Sequence, residues 1–149
     1  MLDKYYDELR VGAVELLGSR TIAEGHSVGF AGVTALADHP GVPTGPGLVS
    51  PHQAMLAMSI STGLVPTLPG RALGIVGLFD VEFHTPVRVG DTVRASFEVV
   101  AKRDKAPGGV IEFLQRLTNQ ANGVLFTARM HVWLAASPTT EPARAPAGK

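Results

Sequence analysis

Residues 72–83, 92–102, 110–119 and 124–135 form four consecutive runs in which apolar and polar side chains alternate. A period of two puts every second side chain on the same face, so each run reads as a strand with one apolar face. Two of the breaks, Asp104-Lys105-Ala106-Pro107-Gly108-Gly109 and Asn119-Gln120-Ala121-Asn122-Gly123, consist largely of turn-forming residues. The even spacing predicts an antiparallel meander, and its apolar face has to be covered by something else in the chain.

The first half supplies that cover. Residues 14–20 read as a first strand. Thr21-Ile22-Ala23-Glu24 has the spacing of a capping box, which predicts a helix through Gly29, Phe30, Ala31 and Ala35. Glycines at 25, 29 and 32 weaken this helix and predict close packing against a neighbour. Residues 38–49 hold three prolines and three glycines and read as a loop. Ser50-Pro51 then reads as an N-cap followed by proline at the first helical position. The segment 52–64 carries Met55, Leu56, Met58, Ile60 and Leu64 among small residues, which predicts a helix buried on most sides. Pro66 and Pro69 end it. The fold class is therefore α+β, a long helix packed on an antiparallel sheet.

A chain of 149 residues fits one domain, here residues 1–136, and the Pro-, Ala- and Thr-rich residues 137–149 read as a disordered tail. Lys plus Arg and Asp plus Glu both number 13, so net charge gives no reason to expect nucleic acid or an anionic membrane as partner. There is no cysteine, which excludes thiol catalysis and disulfides and fits a cytoplasmic location. The N-terminus lacks the basic flank and apolar core of a signal peptide, and no apolar run reaches the roughly 18 residues of a membrane span. No histidine pair has helical i, i+4 spacing, and the glycines at 41, 45 and 47 are not followed by the Lys-Ser/Thr of a nucleotide loop. Neither a metal nor a cofactor is expected.

Phe79-Asp80-Val81-Glu82-Phe83-His84-Thr85-Pro86-Val87-Arg88-Val89-Gly90-Asp91-Thr92-Val93 runs from one strand through a turn into the next. With Tyr6 to Gly12, Phe30-Ala31-Gly32, the stretch from Ser59 to Leu64, and Thr118-Asn119-Gln120 with Gly123, this segment resembles the hotdog-fold MaoC-like acyl dehydratases and (R)-specific enoyl-CoA hydratases. The resemblance implies a hotdog domain that binds an acyl group on coenzyme A or an acyl carrier protein. It also implies hydro-lyase chemistry at the C2–C3 bond of the thioester.

In that family the proton chemistry belongs to an Asp and a His in the pattern Asp-x-Asn-Pro-x-His. Here, aligning Pro40 with the motif proline puts His39 on the Asn, Ala37 on the Asp and Val42 on the His. Aligning Asp38 with the motif Asp puts Pro43 on the His. Neither alignment supplies the histidine, so the motif is degenerate. The candidate catalytic residues are Asp38 and His39, with His52 in the first turn of the predicted buried helix. The amides around Gln53 and Ala54 are candidates to hold the thioester oxygen, and Met55 and Val42 to contact the acyl chain. The altered loop points to specialised acyl or polyketide metabolism, or to another reaction such as cyclisation or isomerisation. Two other readings stand beside it. One is a non-catalytic subunit that pairs with a catalytic homologue. The other is a hotdog thioesterase, ranked last because it requires a carboxylate or polar base near the central helix and that helix carries none. Of the remaining basic residues, Arg88, Arg94, Lys102, Arg103 and Lys105 can meet phosphates or remain solvated. His26 reads as an exposed helix residue, His84 as structural, and His131 with Trp133 as the sheet exterior or a subunit contact. A lone hotdog leaves a sheet edge uncovered, so at least a homodimer is expected, or a higher oligomer including a catalytic homologue.

Overall fold

The computed structural model describes residues 1–35, 48–65 and 71–138. Its elements are β1 (Val14–Thr21), α1 (Glu24–Thr34), α2 (Pro51–Gly63), β2 (Ala72–Phe83), β3 (Thr92–Asp104), β4 (Gly109–Thr118) and β5 (Val124–Leu134), preceded by one 3₁₀ turn, Tyr6–Glu8. All five strands form one antiparallel sheet in the order β1-β3-β4-β5-β2.

Alternation sorts the faces as expected. Val93, Ala95, Phe97 and Val99 of β3, Ile111, Phe113 and Leu117 of β4, and Phe126, Ala128, Met130, Val132 and Leu134 of β5 are buried in one cluster. The residues between them, among them Arg94, Glu112, Arg116, Arg129 and His131, point to the opposite face. Phe97 and Phe113 stack across the β3–β4 pair at 5.3 Å. Helix α2 packs on β4 and β5 and buries His52, Ala54, Leu56, Ala57 and Ser61. At the heart of that interface Gln115 Nε2 donates to Ser61 Oγ at 2.6 Å, both residues being fully buried. The hotdog arrangement expected from the sequence is the one observed.

Strands β3, β4 and β5 form the predicted meander, but β2 does not continue it. It lies beyond β5, and β3 is flanked by β1 instead. Residues 84–91 are therefore a crossover rather than a hairpin turn. Fully extended they can span up to about 28 Å; the three strand spacings between β2 and β3 amount to about 14 Å. The link is long enough to pass the end of the sheet and brush the helices on its way.

Helix α1 departs from two expectations. Thr21 is no N-cap: it ends β1, and its hydroxyl bonds Thr92 Oγ1 at 2.8 Å. The N-cap is Ala23, whose N–H donates to His26 Nδ1 at 3.1 Å, so the exposed His26 does the capping. Nor do the helix glycines mark close packing. Among the described residues a Cβ on Gly25, Gly29 or Gly32 would meet nothing within 4 Å, and Val33 on the same helix is 88% exposed.

Before β1, residues 1–13 are stitched to the sheet. The Tyr6 N–H donates to Ala135 O at 2.8 Å, and Lys102 Nζ donates to the carbonyls of Tyr6 (2.8 Å) and Leu9 (2.6 Å). Lys102, a candidate phosphate contact by sequence, is thus committed to the backbone. Ser137 bonds Asp7 through both its amide and its hydroxyl; residues 139–149 of the expected tail lie outside the described residues.

Candidate active site

Ser50 caps α2 as its sequence suggests: its Oγ accepts from the Gln53 N–H at 3.2 Å and its carbonyl from the Ala54 N–H at 2.9 Å. Pro51 occupies the first helical position and His52 the second. At that point the α2 axis still presents its positive end, and His52 is only 2% exposed.

The imidazole is held from α1. Ser27 lies one residue past the capping His26, and its Oγ is 2.8 Å from His52 Nε2. Phe30, nearly a turn further, sets its ring edge-on to the imidazole at 5.5 Å and 68°. Capping by His26 fixes where α1 begins, and so which of its side chains reach α2.

A cavity of about 170 Å³ opens beside the pair. Ile22, Leu56, Val87 and Val89 give it apolar walls, and Ser27, His52, Gln53 and Arg88 supply its polar groups. Gln53 Oε1 is buried and has no hydrogen-bond partner among the described residues.

The crossover builds one wall, and several of the residues that carry the family resemblance hold it in place. Asp91 Oδ2 accepts from the Arg88 N–H at 2.8 Å, and Gly90 turns the chain at φ +94°. The Ile22 N–H donates to Asp91 O and the Gly90 N–H to Ile22 O, both at 2.8 Å. From the β4–β5 turn, Gln120 Oε1 accepts from the Thr92 N–H at 2.9 Å, and Gln120 Nε2 lies 3.4 Å from Asp91 Oδ1. Asn119 Oδ1 closes its own turn on the amides of Ala121 and Gly123. These positions serve architecture: they fix Val87, Arg88 and Val89 against the head of α2.

Leu56 faces two spaces. Besides the cavity it lines a shallow apolar groove of about 390 Å³ between the helices, with Gly29, Phe30, Val33 and Ile60. The groove therefore starts where the cavity ends.

Of the residues expected at the site, His52 and Gln53 line the cavity. Asp38, His39 and Val42 lie outside the described residues. Ala54 is buried and Met55 half-buried, and neither lines the cavity. The amides of Gln53 and Ala54, candidates for the thioester oxygen, are both engaged by Ser50, because a capped helix satisfies those donors internally. An incoming oxygen can reach the Gln53 amide only by displacing the Ser50 hydroxyl. Ser27 was not singled out from the sequence. Its one signal is a hydroxyl in the first turn of α1, beside His26 and ahead of a run of glycines and apolar residues. Arg88 was singled out only as a general phosphate contact.

The other histidines lie elsewhere. His84 Nε2 is 3.0 Å from Thr127 Oγ1, and His131 Nε2 is 3.4 Å from Glu112 Oε2 on the outer sheet face. Trp133, on the same face, donates to Lys105 O at 3.2 Å. Among the described residues no group of three or more His, Asp or Glu side chains is placed to hold a metal.

No protein-family model matches the sequence, and the comparison with curated proteins finds no match. Solved structures do match. A monoamine oxidase regulatory protein from Archaeoglobus fulgius is 27% identical with a TM-score of 0.75, over 91% of this chain and 97% of that one. The MaoC-like dehydratase from Rhodospirillum rubrum is 19% identical with a TM-score of 0.71, over 91% and 99%. The (R)-hydratase from A. caviae is 25% identical with a TM-score of 0.61, over 85% and 97%. The chain has the hotdog fold, and among the proteins it resembles in structure are MaoC-like dehydratases and (R)-hydratases.

Proposed function

We propose that this protein is an acyl-thioester enzyme of the dehydratase/hydratase type, a hydro-lyase acting at the C2–C3 bond of an acyl chain on coenzyme A or an acyl carrier protein. The observation that carries the reading is His52. It is a buried imidazole at the head of the central helix, on the wall of a largely apolar cavity, in a fold shared with MaoC-like dehydratases and (R)-hydratases.

Adding water across C2–C3 requires a proton at C2, a water held at C3, and a place for the charge that builds on the thioester oxygen. His52 handles a proton. Asp38 and His39, which precede α2 in the sequence, supply the second titratable group, and Val42 contributes to bounding the chain. The thioester oxygen lies at the positive end of α2 and takes the Gln53 amide from the Ser50 hydroxyl. The acyl chain leaves the cavity past Leu56 into the groove that runs toward Ile60, a rise of about 6 Å along the helix from Leu56. The degenerate loop motif fits a specialised substrate. A cytoplasmic location goes with this reading, since it takes coenzyme A or carrier-protein thioesters as substrates.

The test is hydration of crotonyl-coenzyme A and of a longer enoyl thioester by the purified protein. Turnover is expected, with kcat/KM falling by about 10²- to 10⁴-fold in His52→Ala. If the wild type neither hydrates nor binds an enoyl thioester, the reading fails.

A further inference from the structure

We propose that Ser27 and His52 form a nucleophile–base dyad, giving the site a second activity: acyl transfer from a thioester to Ser27, followed by hydrolysis. The proposal rests on the thioester reading of the site but assigns it a reaction that does not touch C2 or C3.

Three observations converge on it. Ser27 Oγ and His52 Nε2 are 2.8 Å apart, within the reach that an activated serine needs from its base. Both side chains line the same cavity, so the hydroxyl has space before it for an acyl carbon. Gln53 lines that cavity too, and its side-chain N–H₂ is the donor we assign to an oxyanion there. A purely structural Ser–His bond explains the first observation but not the cavity that both side chains line.

With the imidazole proton on Nδ1, Nε2 accepts from the Ser27 hydroxyl. Ser27 Oγ attacks the thioester carbonyl carbon, and its proton passes to Nε2. The tetrahedral oxyanion collapses and the C–S bond breaks. The leaving thiolate takes the proton from Nε2 and departs as the free thiol, which leaves an acyl ester on Ser27. Water then attacks the ester carbonyl, losing a proton to Nε2. The C–Oγ bond breaks, Oγ regains that proton, and the carboxylic acid is released. Atoms and charge balance with water as the only co-reactant. Phe30, edge-on to the imidazole, limits its rotation away from Ser27.

The experiment uses butyryl-coenzyme A, a saturated thioester that has no double bond to hydrate. The full chain is incubated with it, thiol release is followed with a thiol reagent, and acid-quenched protein is mapped by mass spectrometry. We expect a butyryl adduct on the peptide containing Ser27, and thiol release at least 100-fold slower in Ser27→Ala and in His52→Gln. Phenylmethylsulfonyl fluoride is expected to label Ser27 of the wild type, a readout that needs no variant to fold. Equal thiol release by wild type and a folded Ser27→Ala, or the absence of both adducts from Ser27, overturns the proposal. Hydration of crotonyl-coenzyme A is run in parallel. Hydration without thiol release sinks the dyad and leaves the hydratase reading intact. Thiol release through Ser27 without hydration supports the dyad and sinks the hydratase reading.

Discussion

Two side chains far from the cavity hold the N-terminal segment in place, and each makes a testable contribution. Lys102 donates to two carbonyls of that segment and lies 4.2 Å from the Tyr6 ring centroid. Hydrogen bonds from a charged donor contribute about 1.5–3 kcal/mol each, part of it shared with water. Lys102→Met should lower unfolding stability by about 2 kcal/mol, read from the midpoint of urea denaturation. Asp7, in that same segment, clasps Ser137. The Ser137 hydroxyl, then the Ser137 amide, hold its carboxyl below the ordinary aspartate range. A depressed carboxylate stabilises the folded form above its unfolded pKa and loses that contribution as pH falls through the folded value. The clasp should therefore hold at neutral pH and open under acid. Hydrogen exchange at the Ser137 amide, relative to the intrinsic rate at each pH, should lose protection as Asp7 is protonated. It should show no such step in Asp7→Asn.

Helix α1 and the β3–β4 turn both use glycine, for opposite reasons. Gly29 has helical backbone, and a side chain there would meet open space. A glycine inside a helix costs about 0.5–1 kcal/mol relative to alanine. Gly29→Ala should raise stability by that amount in thermal or urea unfolding. Gly108 sits at φ +119°, and a Cβ there would overlap the Leu134 carbonyl. Gly108→Ala should be strongly destabilising, by 2 kcal/mol or more on the order of backbone strain and overpacking together. A pair of substitutions that look identical in sequence should thus move the unfolding midpoint in opposite directions. Neither sign was legible beforehand: the glycines of α1 suggested close packing that the described structure does not contain.

At the scale of the whole molecule both edges of the described sheet, β1 and β2, carry exposed apolar side chains, and β2 is the longer of the two. On β2, Ile75, Val76 and Phe79 are each about half exposed (52%, 49% and 48%). An edge strand carrying apolar side chains invites pairing with another copy, and a two-fold axis lets the same strand serve both partners. We propose a homodimer joined along β2. Sedimentation should give twice the mass of the chain, and Ile75→Lys should shift it toward the monomer, because pairing would then bury two charges. A wild-type chain that sediments as a monomer at micromolar concentration would refute this arrangement.

The sequence by itself determined the local and periodic features: five strands and two helices, the inner and outer face of β3, β4 and β5, and the cap that starts α2 at Ser50. Each depends on residues within a few positions of one another, where periodicity and capping chemistry act. Tertiary structure decided what lies across long separations. The crossover carries β3 past β4 and β5 to the side of β1. The sheet and α2 bring His52 against Ser27, 25 residues earlier in the chain. Periodicity tells which face a residue occupies but not which element will meet that face. That choice follows from link lengths and from how α1 settles on α2, with an imidazole rather than the expected Thr21 hydroxyl fixing where α1 begins.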